Sequence, residues 1–496
     1  MSTLSNQTNA AFDAVNRVLE RQAVWLVLAA SVLAFQAFII WNHKPWADEL
    51  QAVMIALEAP DQNTLLAWLR YEGHPPLWYW LLQALGSFTE PRFVLPLAAT
   101  LCAATTQGAI LFASPFARLE RLLIALSQFV LFEFLTISRG TTLGVALIVL
   151  ALVLWRSRWF WLLLAALPLV DFLFGVLSGV LLVLKWREKA LWWPGISVWL
   201  VASAFAGWSV IPPSDMVNAI DAVQPNSGTA LSIETARSWL LKLGSMIVPF
   251  QGGIYPQWKA PVVPIAGIGW IIFFALCWFV TRERKWHALL IFGFLGFTLF
   301  FSLAIYSLSL RHMMLAPLLL IALQWLARND NAQPSAAFRV WIAVAAICGV
   351  ASSLISTHRG FDSADKALAA IEARGLSDKQ WIALPEWRIP ALSGQSDLEF
   401  TRPEQECRFR FVRWDHQSRA LTATDAFTAM LERHIAKHGR SYLVSDMKFT
   451  GFDSALLTPL ETVPAGYDGI TYYLYEVGPQ ASEKPQDIPF CHTLSG

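Results

Sequence analysis

Apolar residues in this chain run in long blocks near 25–41, 93–113, 120–137, 140–155, 159–171, 172–184, 192–211, 261–280, 287–307, 312–327 and 338–356, with short polar or basic joints between them. A helix crosses the hydrocarbon of a bilayer with roughly 20 apolar residues, so the pattern predicts about eleven transmembrane helices. Two further runs, 77–88 and 239–250, are too short to cross and are expected to be re-entrant or half-inserted. The stretch 159–184 could be one helix, but basic clusters flank both ends. A hairpin with Asp171 at its outer tip puts both clusters on one face. The first block, 23–41, is too long for the apolar region of a signal peptide and lacks a convincing cleavage site, so it reads as a retained helix.

Beyond about residue 357 the pattern changes. Helix-like "SADKALAAIEARG" and "DAFTAMLERHIAKHG" are interleaved with strand-like "QWIALPE", "CRFRFVRW", "SYLVSD" and "TYYLYEV". Alternation of this kind predicts a small α/β domain with some parallel pairing. The expected organisation is a polytopic helical membrane domain over 1–356, with a first outer loop at about 42–76, followed by an α/β domain over 357–496.

Composition agrees with this division: of 496 residues, 55 % are hydrophobic and 15 % charged, and the mean hydropathy is +0.46. Many of the 24 tryptophans close apolar blocks, where an amphipathic ring suits headgroup depth. A net charge of +1 argues against a nucleic-acid partner. Short loops rich in Lys and Arg stay in the cytoplasm. Placing the clusters at Arg17 and Arg21, Arg118 and Arg121, Arg156 and Arg158, Lys185 to Lys189, Arg282 to Lys285, and Arg328 on that side leaves the C-terminal domain extracytoplasmic. The implied location is the inner (plasma) membrane, crossed many times, with membrane lipids as neighbours. Cys102, Cys277 and Cys348 fall in apolar helices, whereas Cys407 and Cys491 fall in the outer domain, where an oxidising compartment permits them to pair.

This topology collects polar residues at the outer face: Asp48, Glu49, Glu72, His74, Arg139, Asp171, Arg311 and His312. Ionisable groups at membrane depth are costly and usually functional. Asp48 and Glu49 open an amphipathic helix that Pro60 ends, and Asp61 or Asn63 caps a second one. Asp48 can be a helix cap or a chemical group. Glu49, one position on, points about 100° away. His74 precedes two prolines that impose an extended entry into a helix, beside Trp78, Tyr79 and Trp80 as an aromatic floor. Glu133 lies deeper on the Arg139 segment, where an ion pair between them is one reading. Arginines at two separate outer boundaries fit an anion site, since a guanidinium grips phosphate oxygens in a fork.

The ordered set "WADELQ", "EGHPPLWYWLLQALG", "FEFLTISRG" and "RHMML", with an outer C-terminal domain, resembles the GT-C superfamily of integral-membrane glycosyltransferases, which includes protein O-mannosyltransferases and the aminoarabinose transferase of lipid A. The resemblance implies transfer of a sugar from a polyprenyl-phosphate donor to a lipid, glycan or protein acceptor, with inversion. It places Asp48 as catalytic base or acceptor-binding carboxylate, with Glu49 as lesser partner. Glu72, His74, Glu133, Arg139, Asp171, Arg311 and His312 are then expected to contact substrate. No cofactor is established; a divalent metal stays open, although no Cys/His cluster supports one. A transporter or lipid flippase is the alternative, with the same charges lining a passage; the repeated halves common in such proteins are not evident.

Overall fold

The computed structural model describes residues 2–214, 216, 233–250, 266–305, 307–403, 406–414, 424–484 and 488–491. Each apolar block contains helix, and five helices are long and apolar enough to cross a membrane: Gln22–Asn42, Pro91–Ala113, Lys285–Ala304, Leu310–Asn329 and the one that begins at Ala336. Gly140–Val153, Trp159–Leu169 and Ala266–Thr281 are shorter apolar helices. The first five residues of the 261–280 block lie outside the described residues. The short run at 77–88 forms the helix Leu77–Gly86. The run at 239–250 begins inside the helix Ile233–Gly244.

The block at 120–137 departs from the expected single helix. It breaks after Arg118–Ala125 and resumes as the wide, π-type turns of Gln128–Phe134. Helix Ala336–Arg359 crosses at the break, and a Cβ on its Gly349 would lie 2.3 Å from the Leu126 carbonyl oxygen and 2.6 Å from the Gln128 nitrogen. Only glycine permits that approach. The stretch at 159–184 is likewise two helices, with Asp171 capping the second: its Oδ1 accepts the Leu173 N–H at 2.8 Å.

The helix bundle has two polar ends. At one, the fully buried Glu120 receives Arg328 Nη2 at 3.0 Å and Arg339 Nε at 2.9 Å, and Arg339 also holds Asn9 of the N-terminal helix Ser2–Leu19. At the other lie Arg311 and His312. Arg328 lies 17 positions after Arg311, about 26 Å at the α-helical rise, which is close to the thickness of a hydrocarbon layer.

The C-terminal domain is an α/β unit. Its strands are β1 (Trp381–Leu384), β2 (Phe400–Arg402), β3 (Cys407–Phe409), β4 (Ser441–Ser445), β5 (Leu457–Val463) and β6 (Tyr472–Val477). Among the described residues they form one sheet in the order β3-β2-β1-β4-β6-β5. β1 runs parallel to both β2 and β4, and the remaining pairs are antiparallel. Alternate side chains of the strands feed two cores: Trp381, Phe400 and Tyr472 on one face, Ile382, Leu443 and Tyr475 on the other. Cys407 and Cys491 form a disulfide with Cα atoms 4.9 Å apart. "CRFRFVRW" pairs as a strand only through Phe409; the described remainder leaves the sheet and reaches the helical domain.

That reach decides where the site is. The helix Ala47–Glu58 was expected to keep a polar face in solvent, yet Glu49 to Ala56 are all buried. One side packs with Leu82, Val94 and Leu95. The other receives the C-terminal domain so closely that a Cβ on Gly394 would sit 2.8 Å from the Leu50 Cβ.

Candidate active site

A cavity of about 610 Å³ opens at the junction of the helices with the C-terminal domain. Seven of the nine residues expected to act line it: Asp48, Glu72, His74, Arg139, Asp171, Arg311 and His312. They come from five separate parts of the chain, so the fold and not local sequence brings them together.

Asp48 is not the cap of its helix. Trp46 holds that position, and Glu49 supplies the capping contact by accepting the Trp46 N–H at 3.1 Å. Relieved of that duty, Asp48 keeps 43 % of its side chain open and pairs with Arg139 Nη1. The Arg139 guanidinium also lies 5.8 Å from the Trp46 ring centroid. The Arg139 backbone is extended at the head of helix Gly140–Val153, its N–H donating to Thr142 Oγ1 at 3.1 Å. The carboxylate that Arg139 holds is thus that of Asp48, in the first outer loop.

Two expected residues stand outside the cavity lining. Glu49 is fully buried behind Asp48, 2.8 Å from His43 Nε2, and accepts the Ser138 N–H at 2.6 Å. It thus holds the backbone next to Arg139 and, unlike Asp48, does not line the cavity. Glu133 is also fully buried, within Gln128–Phe134, and does not line the cavity. Trp80 leaves the expected aromatic floor: its indole N–H donates to Gln62 Oε1 at 2.8 Å and its ring stacks on Phe205. Trp78 and Tyr79 remain in the wall.

Local geometry delivers Glu72 and His74. Gly73 ends helix Gln62–Glu72 in the left-handed conformation at φ 68°, which suits glycine. The chain then turns through the two prolines into Leu77–Gly86. His74 Nδ1 lies 3.7 Å from Asp171 Oδ2. Burial, followed by the Arg139 charge, holds the His74 imidazole well below its ordinary range, against the pull of Asp171. At neutral pH it is thus an uncharged donor and acceptor. Glu72 is half-buried and opens onto the cavity. Burial lifts its carboxyl to about 7, against the lowering effect of a Gln51 hydrogen bond.

Arg311 and His312 begin the helical segment from Leu310. His312 Nδ1 accepts the Ser309 N–H at 3.2 Å, with Ser309 Oγ at 2.9 Å. A neutral ring accepting at Nδ1 carries its proton on Nε2. Phe172, Phe301, Ile305 and Leu308 give this part of the wall an apolar surface.

Several wall residues were not singled out in the sequence. Gln51 is one helical turn from Asp48. Trp387, Pro390, Val412 and Trp414 come from the C-terminal domain. Trp78 Nε1 and Thr141 Oγ1 are buried in the wall with no hydrogen-bond partner among the described residues. Helical periodicity from Asp48 points to Gln51; nothing in the local sequence marks 387–414 as part of a site. Among the described residues no group of three or more His, Cys, Asp or Glu side chains is arranged to hold a metal ion. No family model and no curated protein matches this chain, so its chemistry is argued from the cavity itself.

Proposed function

We propose that the chain is a membrane glycosyltransferase that moves a sugar from a polyprenyl-phosphate donor to an acceptor on the extracytoplasmic face. The observation that carries this reading is that Asp48, Arg139 and Arg311 line one cavity at the junction of apolar helices with the α/β domain. A lipid-linked donor needs an apolar approach, cations for its phosphate and polar groups for its sugar. Phe301, Ile305 and Leu308 supply the first, and Arg139 and Arg311 the second. Gln51, Glu72 and His74 supply polar groups of the wall for the third.

In this mechanism the acceptor oxygen or nitrogen bonds to the anomeric carbon as the bond from that carbon to the phosphate oxygen breaks. The lipid phosphate leaves with the bonding electron pair. Asp48 takes the acceptor proton, which requires an ionised carboxylate within hydrogen-bond reach. Arg139 and Arg311 stabilise charge gathering on the departing phosphate, with His312 beside them. A single displacement inverts the anomeric centre. The acceptor is a lipid, glycan or protein bearing a hydroxyl or amine.

Two features support an extracytoplasmic C-terminal domain. The end of the bundle away from it carries Arg118, Arg121, Arg284 and Arg328, as cytoplasmic joints do. The domain itself holds the Cys407–Cys491 disulfide, which persists in an oxidising compartment.

The test is to incubate the purified full-length chain in lipid nanodiscs with radiolabelled polyprenyl-phosphate sugars and a cell-envelope extract as acceptor. Release of free lipid phosphate with transfer of label supports the reading. Movement of intact donor across the bilayer without release identifies a flippase instead.

A further inference from the structure

Gln51 makes three hydrogen bonds with one carboxamide. Its Nε2 donates to Glu72 Oε1 at 2.9 Å and to the Val412 carbonyl at 2.6 Å, while its Oε1 accepts the Val412 N–H at 3.0 Å. The two-way bond with the Val412 backbone fixes which end of the amide is which, so the end facing Glu72 is a donor. Val412 belongs to the segment that leaves β3 and lies over the outer-loop helices. Phe411 packs on Trp68 with centroids 5.0 Å apart, and Arg413 lies 5.7 Å from the Tyr71 ring centroid. One buried side chain on the helix of Asp48 therefore registers that the C-terminal domain is docked and holds a cavity carboxylate at the same time.

We infer that Gln51 is a positioning residue that couples docking of the 410–414 segment to the charge on Glu72, and that Glu72 works in its ionised form beside Asp48. This rests on the glycosyl-transfer reading and adds to it a second carboxylate with its control. The titratable and charged groups facing Glu72 are Asp48, Arg139 and Tyr79, with Trp414 as a further hydrogen-bond partner. The Gln51 N–H favours the carboxylate form; the negative charge of Asp48 opposes it. An ionised Glu72 adds a second negative charge to the wall that Asp48 lines. When the segment is undocked, the Gln51 amide loses both Val412 bonds and its fixed direction, so its N–H is no longer held towards Glu72.

The sign follows. Removing the Gln51 donor raises the Glu72 pKa further, so less of the ionised form is present at neutral pH. A hydrogen bond to a charged group is worth roughly one pKa unit or more. The experiment compares wild type, Gln51→Leu and Glu72→Gln as full-length protein in nanodiscs. Turnover of a polyprenyl-phosphate sugar is followed from about pH 5.5 to 8.5, roughly one and a half units either side of neutrality, which brackets the working range of a general base. In parallel, pH-difference infrared spectra follow the protonated carboxyl band.

The acid limb of the wild-type rate profile is expected to move about one unit alkaline in Gln51→Leu, with the loss of rate shrinking as pH rises. That limb is expected to vanish in Glu72→Gln. The infrared band missing from Glu72→Gln should titrate at correspondingly higher pH in Gln51→Leu. A Gln51→Leu profile lowered by one factor at every pH, with an unmoved infrared titration, overturns the inference. If no sugar donor is turned over but the infrared titration moves, the coupling stands and the glycosyl-transfer reading fails.

Discussion

Asp48 and Glu49 hold the same short segment by different handles: Asp48 pairs with the Arg139 side chain, and Glu49 accepts the Ser138 backbone N–H at 2.6 Å. One carboxylate is open to the cavity and the other has no exposed surface. Adjacent helical residues diverge by about 100°, so one acidic dipeptide supplies both a carboxylate of the cavity and the brace behind it.

Replacing each carboxylate by its amide should separate these roles. Asp48→Asn leaves the Glu49 cap intact and removes the proton acceptor, so transfer should fall about 10² to 10⁴-fold with little change in thermal stability. Glu49→Gln leaves His43 and the Ser138 N–H facing an amide in a sealed site. It should lower stability by about 1 to 3 kcal/mol, the order expected when a buried hydrogen-bond donor loses its acceptor, and reduce activity as a consequence. Denaturation curves alongside transfer rates check this. Loss of stability in Asp48→Asn matching that in Glu49→Gln would return Asp48 to a structural role.

The arginines are tested by keeping charge and removing shape. Arg139→Lys and Arg311→Lys each retain a cation but lose the planar fork, and the expected loss in donor turnover is about 10 to 100-fold per site, the size of one charge-assisted hydrogen bond. Arg139→Lys should also loosen Asp48, so its loss should fall mainly on the rate, whereas Arg311→Lys should weaken donor binding. Normal donor use by both variants would remove the phosphate site.

The helices were legible because apolar blocks of spanning length have few other stable arrangements. The cavity residues were legible because Arg139, Arg311 and His312 are costly at membrane depth unless they are used or paired. What escaped was set by contacts distant in sequence. The break at Ser127 follows from the crossing of Gly349, and the sealed helix Ala47–Glu58 follows from a domain more than 300 residues away in sequence. Strands β2 and β5 were missed because Phe400–Arg402 is very short, while Leu457–Val463 contains Pro459 at a register shift against β6. Glu49 reads like Asp48 by composition. Only the position of Ser138 assigns it to the scaffold.

The C-terminal domain contains a second carboxyl pair with a pH signature. Asp468 and Asp362 are both buried, beside Tyr472 and Arg388. Burial, then the neighbouring Asp362 charge, raises the Asp468 carboxyl well above the ordinary carboxylate range. The folded state therefore binds this proton more tightly than the unfolded chain, whose carboxyl titrates near pH 4, roughly the value in model peptides. The contribution to stability is present at low pH and is lost as pH rises through the folded value. Asp468→Asn, which cannot ionise, should flatten this dependence and raise the melting temperature more at pH 8 than at pH 5, a span of about three units across that window. Equal shifts at both pH values would show that the pair does not share a proton.

The disulfide should matter to the cavity as well as to the domain. Cys407 and Cys491 are separated by 84 positions, and closing a loop of that length restricts the unfolded chain by about 4 to 5 kcal/mol in the chain-entropy account. The bond also sits close to the segment that forms part of the cavity wall. β3 carries Cys407, and Arg408 N–H donates to the Pro489 carbonyl at 2.8 Å while Arg408 Nε donates to the Ile488 carbonyl at 2.6 Å. Three residues beyond β3 the chain reaches Val412 and the Gln51 clamp. Cys491→Ser should therefore lower the stability of the domain and leave the 410–414 segment less firmly docked, so that transfer falls even at temperatures where the protein remains folded. Hydrogen exchange at Val412, measured with the transfer rate, tests the link: its amide should exchange faster in Cys491→Ser while those of the membrane helices are unchanged. If Val412 keeps its protection when the disulfide is absent, the clamp is held by the Gln51 contacts alone and the bond has no part in shaping the cavity.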